Sequence, residues 1–277
     1  MELLSFGDRI NEGNYILHSS FDKVHNYYLR QDLVSIVNHK IGDGPNNIVV
    51  KLLPKKSLFI HISSNFLEIN SIKFPRILSK STIIEKKYFI TNFSVLQERI
   101  NWLISTSKLQ FSTKSLAFVI FPENKSHFIS TFEKNLCKYV SRLTNKFSLN
   151  KLPEIAKKMR GIGFGLTPSG DDFNTGVLYA LNYLENAGFS GFPDLKSECY
   201  KNSLGKNLIS NTFLKFAYKD HYYEDFRNFI IAMNSDDKVM MNVYLKKILG
   251  AGHTSGSDML TGFIYTMKGV LYDKKLN

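Results

Sequence analysis

The amino-acid sequence predicts an α+β fold, in which a β-rich, barrel-like N-terminal part packs on a mainly α-helical C-terminal part. Two observations lead to this prediction. Up to about residue 92, the apolar residues stand in short runs that are separated by turn residues, as is typical of strands. Beyond that point they recur at helical spacing, and two long apolar helices begin with related sequences. We therefore expect a β-rich part over residues 1–92 and a helical part over residues 93–277, packed closely enough that they could form one domain.

Four short apolar or alternating runs in the N-terminal part have strand character. They are Tyr15–His18, Leu33–Val37, Ile48–Leu52 and Leu58–Ile62. Turn residues separate them, most clearly in Gly42–Asn47, which reads Gly-Asp-Gly-Pro-Asn-Asn. Several short strands at this spacing predict a small barrel or a folded sheet.

The period of the apolar residues changes from Ser94, where an amphipathic helix is expected. Ser115–Phe121 is a continuous apolar run that predicts a buried strand, ended by Pro122. Four later segments have helical spacing: Phe128–Phe147, Leu204–Tyr218, Phe226–Met233 and Val239–Leu249. Asp171–Ala187 and Asp258–Tyr272 are long and apolar on several sides, which predicts two central, buried helices.

The formal net charge of +12 raises the question of a nucleic-acid partner. Residues 1–150 carry 20 Lys and Arg against 11 Asp and Glu, whereas residues 151–277 carry 16 against 13. The basic residues are spread singly, without a nucleic-acid-binding signature. A solvated basic face or the attraction of small anions explains them more simply, so we expect no nucleic-acid partner.

The sequence also favours a cytoplasmic protein without a membrane span. No segment reaches the roughly 18 consecutive apolar residues that a span requires, and the N-terminus has acids where a signal peptide has bases. The two cysteines, Cys137 and Cys199, are far apart and match no metal-binding or redox spacing. Two reduced thiols are therefore expected.

A glycine-rich motif precedes the first of the two central helices. Residues 161–172 read Gly-Ile-Gly-Phe-Gly-Leu-Thr-Pro-Ser-Gly-Asp-Asp. Glycines at every second position leave backbone N–H groups that can approach an anion, and the positive end of the following helix dipole is directed at them. Ser169 is expected to be the N-cap, with Asp172 completing a capping box. The motif is not a P-loop, because no Gly-Lys-Ser/Thr follows it, and it is not a Rossmann fingerprint, because the preceding Pro153–Arg160 has helical rather than strand character.

The second central helix repeats this pattern. Gly250–Asp258 reads Gly-Ala-Gly-His-Thr-Ser-Gly-Ser-Asp, and the chain contains Ser-Gly-x-Asp-x-x-Thr-Gly-x-x-Tyr twice, from Ser169 and from Ser255. Each copy has a glycine inside its helix, Gly176 and Gly262, which costs about 1 kcal/mol relative to alanine. We infer that the two helices cross at close range there, with both N-termini converging on one pocket.

Two side chains of the motifs could take part in chemistry. Asp171 adjoins Asp172, so its carboxylate is expected to point away from the cap and to be free for a proton, a substrate amine or a metal. His253 lies in a loop before a positive helix end, a setting that favours a neutral imidazole as acid, base or hydrogen-bond donor. For either motif taken alone, a purely structural interpretation as helix caps and turns stays open.

These motifs resemble the AllH family. The matching segments are Gly165–Asp172, Gly252–Asp258, Gly42–Val50 and Asn207–Leu214. The resemblance extends from about residue 15 to the C-terminus. It departs from the family at Phe164, where a smaller residue is common, and at Ser257, where a bulkier one is frequent. Likeness to the family also suggests that Asn46, in the turn near residue 45, lies beside the same pocket and offers it an amide.

The resemblance implies a subunit of oxamate carbamoyltransferase, an enzyme of allantoin and purine breakdown. That enzyme moves a carbamoyl group between carbamoyl phosphate and oxamate, with oxalurate as the other carbamoylated compound, and other subunits would be the partners. Small anions suit two helix N-termini and glycine N–H groups. The expected catalytic residues are Asp171 and His253. The expected substrate-binding residues are Asn46, Gly163, Gly165, Thr167, Ser169, Gly170, Asp172, Asn211, Thr254, Ser255, Gly256 and Asp258.

Two other hypotheses stay open. One is an enzyme that acts on a phosphorylated metabolite and uses Asp171, Asp172 and Asp258 as oxygen ligands for Mg²⁺, the one cofactor that the sequence leaves possible. The other is a non-catalytic subunit that only binds a ligand or docks its partners. Metal-dependent ligand binding would favour the first, and a complete active site in a partner would favour the second.

Overall fold

The computed structural model describes residues 2–77, 79–163, 165–189 and 191–272. Phe164 of the first glycine motif lies outside the described residues. The chain divides into two compact units: one is Met1–Ile84 with His221–Arg227, and the other is Glu85–Asp220 with Asn228–Asn277. The predicted α+β class is confirmed, with the strands in the first unit and the helices concentrated in the second.

The first unit contains a curled, half-barrel sheet. Its described strands are β1 (Leu3–Gly7), β2 (Gly13–Phe21), β3 (Val24–Leu29), β4 (Asp32–Asn38), β5 (Asn47–Val50), β6 (Phe59–Ile62), β7 (Phe66–Ile69), β8 (Ile72–Pro75) and β9 (Ser79–Lys80). Their order across the sheet is β8-β7-β6-β2-β3-β4-β5-β1-β9. The pairs β4–β5 and β1–β9 are parallel, and the other pairs are antiparallel.

The sheet closes around its own apolar core. Tyr15, Tyr27, Ile36 and Ile48 lie on β2 to β5 and are fully buried in one cluster. Alternate residues of a strand point to opposite faces, so one face of each of these strands supplies the core. The four runs with strand character overlap β2, β4, β5 and β6, which confirms this part of the prediction, although Lys51, Leu52 and Leu58 lie outside the strands.

The second unit is helical. The described α-helices are α1 (Phe93–Ser107), α2 (Thr131–Thr144), α3 (Leu152–Met159), α4 (Ser169–Asn186), α5 (Pro193–Ser203), α6 (Leu208–Tyr218), α7 (Glu224–Asn234), α8 (Lys238–Leu249) and α9 (Ser255–Leu271). The start of α7 belongs to the first unit. Helices α4 and α9 are buried along nearly their whole length, as the apolar pattern predicts.

The strand that the sequence predicts over Ser115–Phe121 is wrong, because Leu116–Val119 forms a short 3₁₀ helix. The Ser115 hydroxyl accepts a hydrogen bond from Ala117 N, and Leu116 N donates to Asp258 Oδ1 at 2.6 Å. A short apolar run is buried equally well as a strand or as a helical turn. The carboxyl group that caps the turn is 142 residues away in the sequence.

Helices α4 and α9 cross at the glycines inside them. A Cβ at Gly176 would overlap the carbonyl oxygen of Met259, and a Cβ at Gly262 would overlap that of Phe173. Among the described elements, this pair of helices has the most extensive mutual packing. The predicted close crossing is therefore confirmed, and each glycine faces the backbone of the opposite helix.

Candidate functional site

Each of the two central helices, α4 and α9, begins against the end of the helix that precedes it. A Cβ at Gly170 would overlap the carbonyl oxygen of Met159, the last residue of α3. A Cβ at Gly256 would overlap the carbonyl oxygen of Ile248, at the end of α8. The sequence repeat is therefore part of a larger helix–loop–helix repeat. We call α3–α4 (residues 152–186) the first repeat and α8–α9 (residues 238–271) the second.

The loop of the first repeat turns at three glycines with left-handed backbone conformations. Their φ angles are +72° at Gly161, +98° at Gly163 and +102° at Gly165, whereas the loop of the second repeat has one such residue, Gly252, at +64°. A side chain at Gly163 would also meet the Cβ of Ser169 at 2.7 Å. The chain path alone thus requires glycine at these positions, since other residues rarely adopt positive φ angles.

The Asp172 carboxyl of α4 lies beside the start of α9. Thr167 Oγ1 donates to Asp172 Oδ2 at 2.9 Å and lies 3.1 Å from the hydroxyl oxygen of Ser255, the first residue of α9. Asp172 is 3% exposed. The two helix starts therefore meet directly, as the convergence inferred from the repeat requires.

Asp258 occupies the equivalent position on α9. Its Oδ1 accepts from Leu116 N at 2.6 Å, and the hydroxyls of Ser169 and Thr254 lie close enough to lower its pKa. Its Oδ2 is buried and accepts no hydrogen bond from any described residue. Each carboxyl group thus lies beside the first serine of the opposite helix. The same contact is therefore made in both directions between the two repeats.

Burial makes both carboxyl groups weak acids. It raises the pKa of Asp258 from 3.8 to about 7. The pKa of Asp172 is raised well above 3.8, first by burial and then by the negative charge of Asp258. Within the described part of the chain, neither carboxyl group forms an ion pair. We therefore expect the Asp172–Asp258 pair to retain a proton near neutral pH.

The capping box expected at the start of α4 is wrong. Pro168 precedes the first helical residue, Ser169, and no side chain caps this helix. Asp172 turns to Thr167 and Ser255 instead of returning to the backbone at the helix start. The hydroxyl groups at the start of α9 offer the carboxyl group a tertiary partner, which local sequence rules do not include.

The two residues predicted to be catalytic differ in their surroundings. Asp171 is 3% exposed, and its Oδ1 accepts from Gly161 N at 2.7 Å, so its carboxyl group ties the first loop to α4. Burial raises the pKa of Asp171, while Gly161 N–H, the Ser210 hydroxyl and the charge of Arg160 oppose the rise. His253 lies exposed in the second loop. Catalytic roles for Asp171 and His253 remain predictions.

The two asparagines expected to bind substrate have partners within the fold. Asn46 is 2% exposed; its amide donates to Leu33 O at 3.1 Å and its Oδ1 accepts from Tyr223 Oη at 2.7 Å, all within the first unit. In the second unit, Asn211 donates to Gly205 O at 2.9 Å and accepts from Gly205 N at 3.0 Å. Substrate binding by either residue stays a prediction.

One neighbour of the site has no signal in the sequence. Ser112 N donates to the hydroxyl oxygen of Ser257 at 3.0 Å, just before the 3₁₀ turn that binds Asp258. The segment from Ser112 to Leu116 thus fixes the start of α9 through backbone N–H groups. Because every residue except proline carries such a group, the side-chain pattern could not identify it.

The described part of the chain contains neither a cluster of metal-binding side chains nor a helix that could cross a membrane. There, no group of three or more His, Cys, Asp or Glu residues is arranged to hold a metal ion. The ligand set suggested for Mg²⁺ does not form such a group, since Asp171 turns to Gly161 while Asp172 and Asp258 face each other's helix. No described helix combines the length and the apolar character needed to cross a membrane.

The comparison with known protein families agrees with the sequence motifs. A family model described as oxamate carbamoyltransferase subunit AllH matches residues 159–267. This range is less than half of the chain, but it contains both glycine motifs and the starts of both central helices. The resemblance to the AllH family is confirmed over it. The match suggests a subunit of oxamate carbamoyltransferase. No solved structure matches the chain.

Proposed function

We propose that this chain is a carbamoyltransferase subunit that binds a small anionic substrate at the starts of α4 and α9. The observation that carries the proposal is the direct contact between the two helix starts, through Thr167 and Ser255. Two helix dipoles then act on one place, and their positive ends favour negative charge. Carbamoyl phosphate and oxamate are small anions of this kind.

Backbone N–H groups at the same place support the proposal of an anion site. The N–H groups of Gly163, Gly165, Ser169 and Ser255 donate to no acceptor within the described residues. The other N–H groups of the first turns are partly used, because Gly170 N donates to Ile162 O at 2.8 Å. Free glycine and helix-start donors would stabilise both a bound anion and the oxyanion of a carbamoyl-transfer intermediate.

The reaction that we propose is the direct transfer of the carbamoyl group. The amide nitrogen of oxamate attacks the carbamoyl carbon, the carbon–oxygen bond to phosphate breaks, and oxalurate and phosphate result. The attacking nitrogen loses a proton, which Asp171 or His253 would accept, as the motifs suggest. The reverse reaction would make carbamoyl phosphate from oxalurate in allantoin and purine breakdown.

A non-catalytic subunit, which binds a ligand or docks partner subunits, is the second candidate. One observation favours it: Asp171 and Asp258 each accept a hydrogen bond from a backbone N–H group. Such carboxyl groups already serve the fold. On this alternative the same ligand would bind, but the reacting groups would come from a partner subunit.

Ligand binding to the purified chain tests the proposal. We expect carbamoyl phosphate, oxamate or oxalurate to raise the melting temperature, with and without Mg²⁺. Gly165→Ala is the variant and Gly188→Ala is its matched control, since φ is +102° at Gly165 and +86° at Gly188. Similar backbone strain should lower stability in both, whereas only Gly165→Ala adds a methyl group to the proposed anion site.

The results separate the two candidates. If Gly165→Ala weakens ligand binding and Gly188→Ala does not, the anion site is supported. Equal affinity in both variants, or no response to any of the three compounds, would reject it. Oxamate-dependent release of phosphate from carbamoyl phosphate then identifies catalysis. Release by partner subunits alone, in the absence of this chain, would favour the non-catalytic role.

A further inference from the structure

The Asp172–Asp258 pair poses a problem for a site that binds only anions. Two carboxyl groups lie within the two helix starts, and no described lysine, arginine or histidine is paired with either. A fully ionised pair would repel an anionic substrate. These groups therefore suit another part of the ligand, one that brings hydrogen-bond donors rather than negative charge.

One atom of the pair lacks a donor. Asp258 is fully buried, and its Oδ1 accepts from Leu116 N, but its Oδ2 has no hydrogen-bond partner among the described residues. Buried acceptors nearly always have a partner. The hydroxyls of Ser169 and Thr254 lie near enough to lower the pKa of this carboxyl group but form no hydrogen bond with Oδ2, which leaves that oxygen open to a donor from the ligand.

We propose that the Asp172–Asp258 pair and the hydroxyls around it bind the primary amide end, –CO–NH₂, of the substrate, while the glycine loops bind its anionic end. This inference rests on the proposed function. Carbamoyl phosphate, oxamate and oxalurate share that primary amide group and differ in the rest of the molecule. A site that holds the shared end could therefore accept all three compounds.

The hydrogen-bonding capacity of the pair matches an amide. A protonated carboxyl group donates to the amide oxygen, and an ionised oxygen accepts from the amide N–H. The retained proton follows from the raised pKa of each group. The other charged group on these helix starts is Asp171, which is engaged by Gly161 N.

The route to the pair is short. Ser255 is partly exposed, its hydroxyl oxygen lies 3.1 Å from Thr167 Oγ1, and Thr167 donates to Asp172 at 2.9 Å. The Thr167 hydroxyl therefore links Asp172 to Ser255, a residue that solvent reaches. Rotation of the Ser255 and Thr167 side chains would bring a small amide into contact with the carboxyl oxygens.

A matched set of ligands provides the test. Pyruvate has the shape and charge of oxamate with a methyl group in place of –NH₂, and oxalate has a carboxylate oxygen there. We expect calorimetric titration of the chain to show oxamate binding at least about tenfold more tightly than pyruvate, because a site built for N–H donors rejects a ligand that lacks them.

Asp258→Asn tests the residue. The asparagine Oδ1 can still accept from Leu116 N, but its –NH₂ group then replaces Oδ2 and faces the –NH₂ group of the ligand. The preference for oxamate over pyruvate should fall to within about twofold. Asp22→Asn is the control, because Asp22 is exposed in the turn between β2 and β3 and lies outside the site. If Asp258→Asn does not fold, Asp172→Asn replaces it.

Each outcome decides the inference. A preference for oxamate that Asp258→Asn removes and Asp22→Asn keeps supports it. Equal binding of oxamate and pyruvate, or a preference that survives Asp258→Asn, overturns it and leaves the proposed anion site in place. Failure of oxamate, pyruvate and oxalate, and also of carbamoyl phosphate, to bind would overturn the proposed function and this inference together.

Discussion

The two repeats differ in their loops far more than in their helices. Both helices carry the same serine, glycine, aspartate and threonine positions and cross at equivalent glycines. The loop of the first repeat spans residues 160–168 and the loop of the second only residues 250–254. The helices are constrained by each other, since a change in one must fit the backbone of its partner. The loops are not constrained in this way, so two similar helices carry two different loops at the candidate site.

The largest effect is expected from the crossing itself. Gly176→Ala and Gly262→Ala should each destabilise the fold by about 3 kcal/mol or more, because a methyl group would overlap backbone that cannot move alone. Urea unfolding measures this. Gly269→Ala, also on α9, is the control: the atoms nearest to its methyl group belong to the Phe147 side chain rather than to backbone, so the cost should be smaller. Unequal losses of stability in Gly176→Ala and Gly262→Ala would show that the two repeats are not equivalent at the crossing.

The pH dependence of stability is the second test. The folded-state pKa of Asp258 is about 7 and its ordinary value is 3.8. Between these values the folded state binds more protons than the unfolded state, so the free energy of unfolding should fall as pH rises from about 4 to about 7. We expect a loss of roughly 1 to 3 kcal/mol, measured by urea unfolding at pH 5 and pH 8.

The variant Asp258→Asn should flatten that dependence, since it removes one titrating group and its repulsion of Asp172. A steep fall that persists in this variant would show that other residues cause it. Asp22→Asn again serves as the control and should keep the wild-type slope.

The first loop offers a smaller effect. Asp171→Ala should cost about 1 to 2 kcal/mol, because Gly161 N loses its acceptor. Asp171→Asn keeps an acceptor oxygen and should be nearly as stable as the wild type. If the charge of Asp171 acts in the chemistry, this variant alone should fold normally and lose carbamoyl transfer. Normal transfer by Asp171→Asn would assign Asp171 to the loop only.

The smallest effect concerns a detail that both helices share. Thr175 Oγ1 donates to Asp171 O at 3.1 Å, and Thr261 Oγ1 donates to Ser257 O at 2.7 Å. Thr175→Val and Thr261→Val should each cost less than about 1 kcal/mol, since the carbonyl groups keep their helical partners. Melting temperatures of the two variants should agree closely. A much larger loss at one position would show that the hydroxyl group there has a further role.

The sequence predicted the helix crossing correctly, because it contains glycines that nothing within their own helices explains. Gly176 and Gly262 weaken a helix, so their presence indicated a close neighbour, and the crossing is confirmed. Local rules failed where a distant residue competed. Ser169 and Asp172 fit a capping box, but the start of α9, 86 residues further on, supplies Asp172 with another partner. The strand prediction at Ser115 failed for a related reason, because the distant Asp258 carboxylate accepts from Leu116 N in addition to the local cap by Ser115.

The segment His221–Arg227 has a consequence for the order in which the chain folds. It completes the first unit: Glu224 N donates to Asp43 O at 2.9 Å, the Glu224 carboxylate accepts from Asp43 N at 2.7 Å, and Tyr223 binds Asn46. During synthesis the sheet emerges early, but these partners leave the ribosome only after α4 to α6 have been made. The first unit must therefore remain incomplete while the whole of the first repeat is already available to fold.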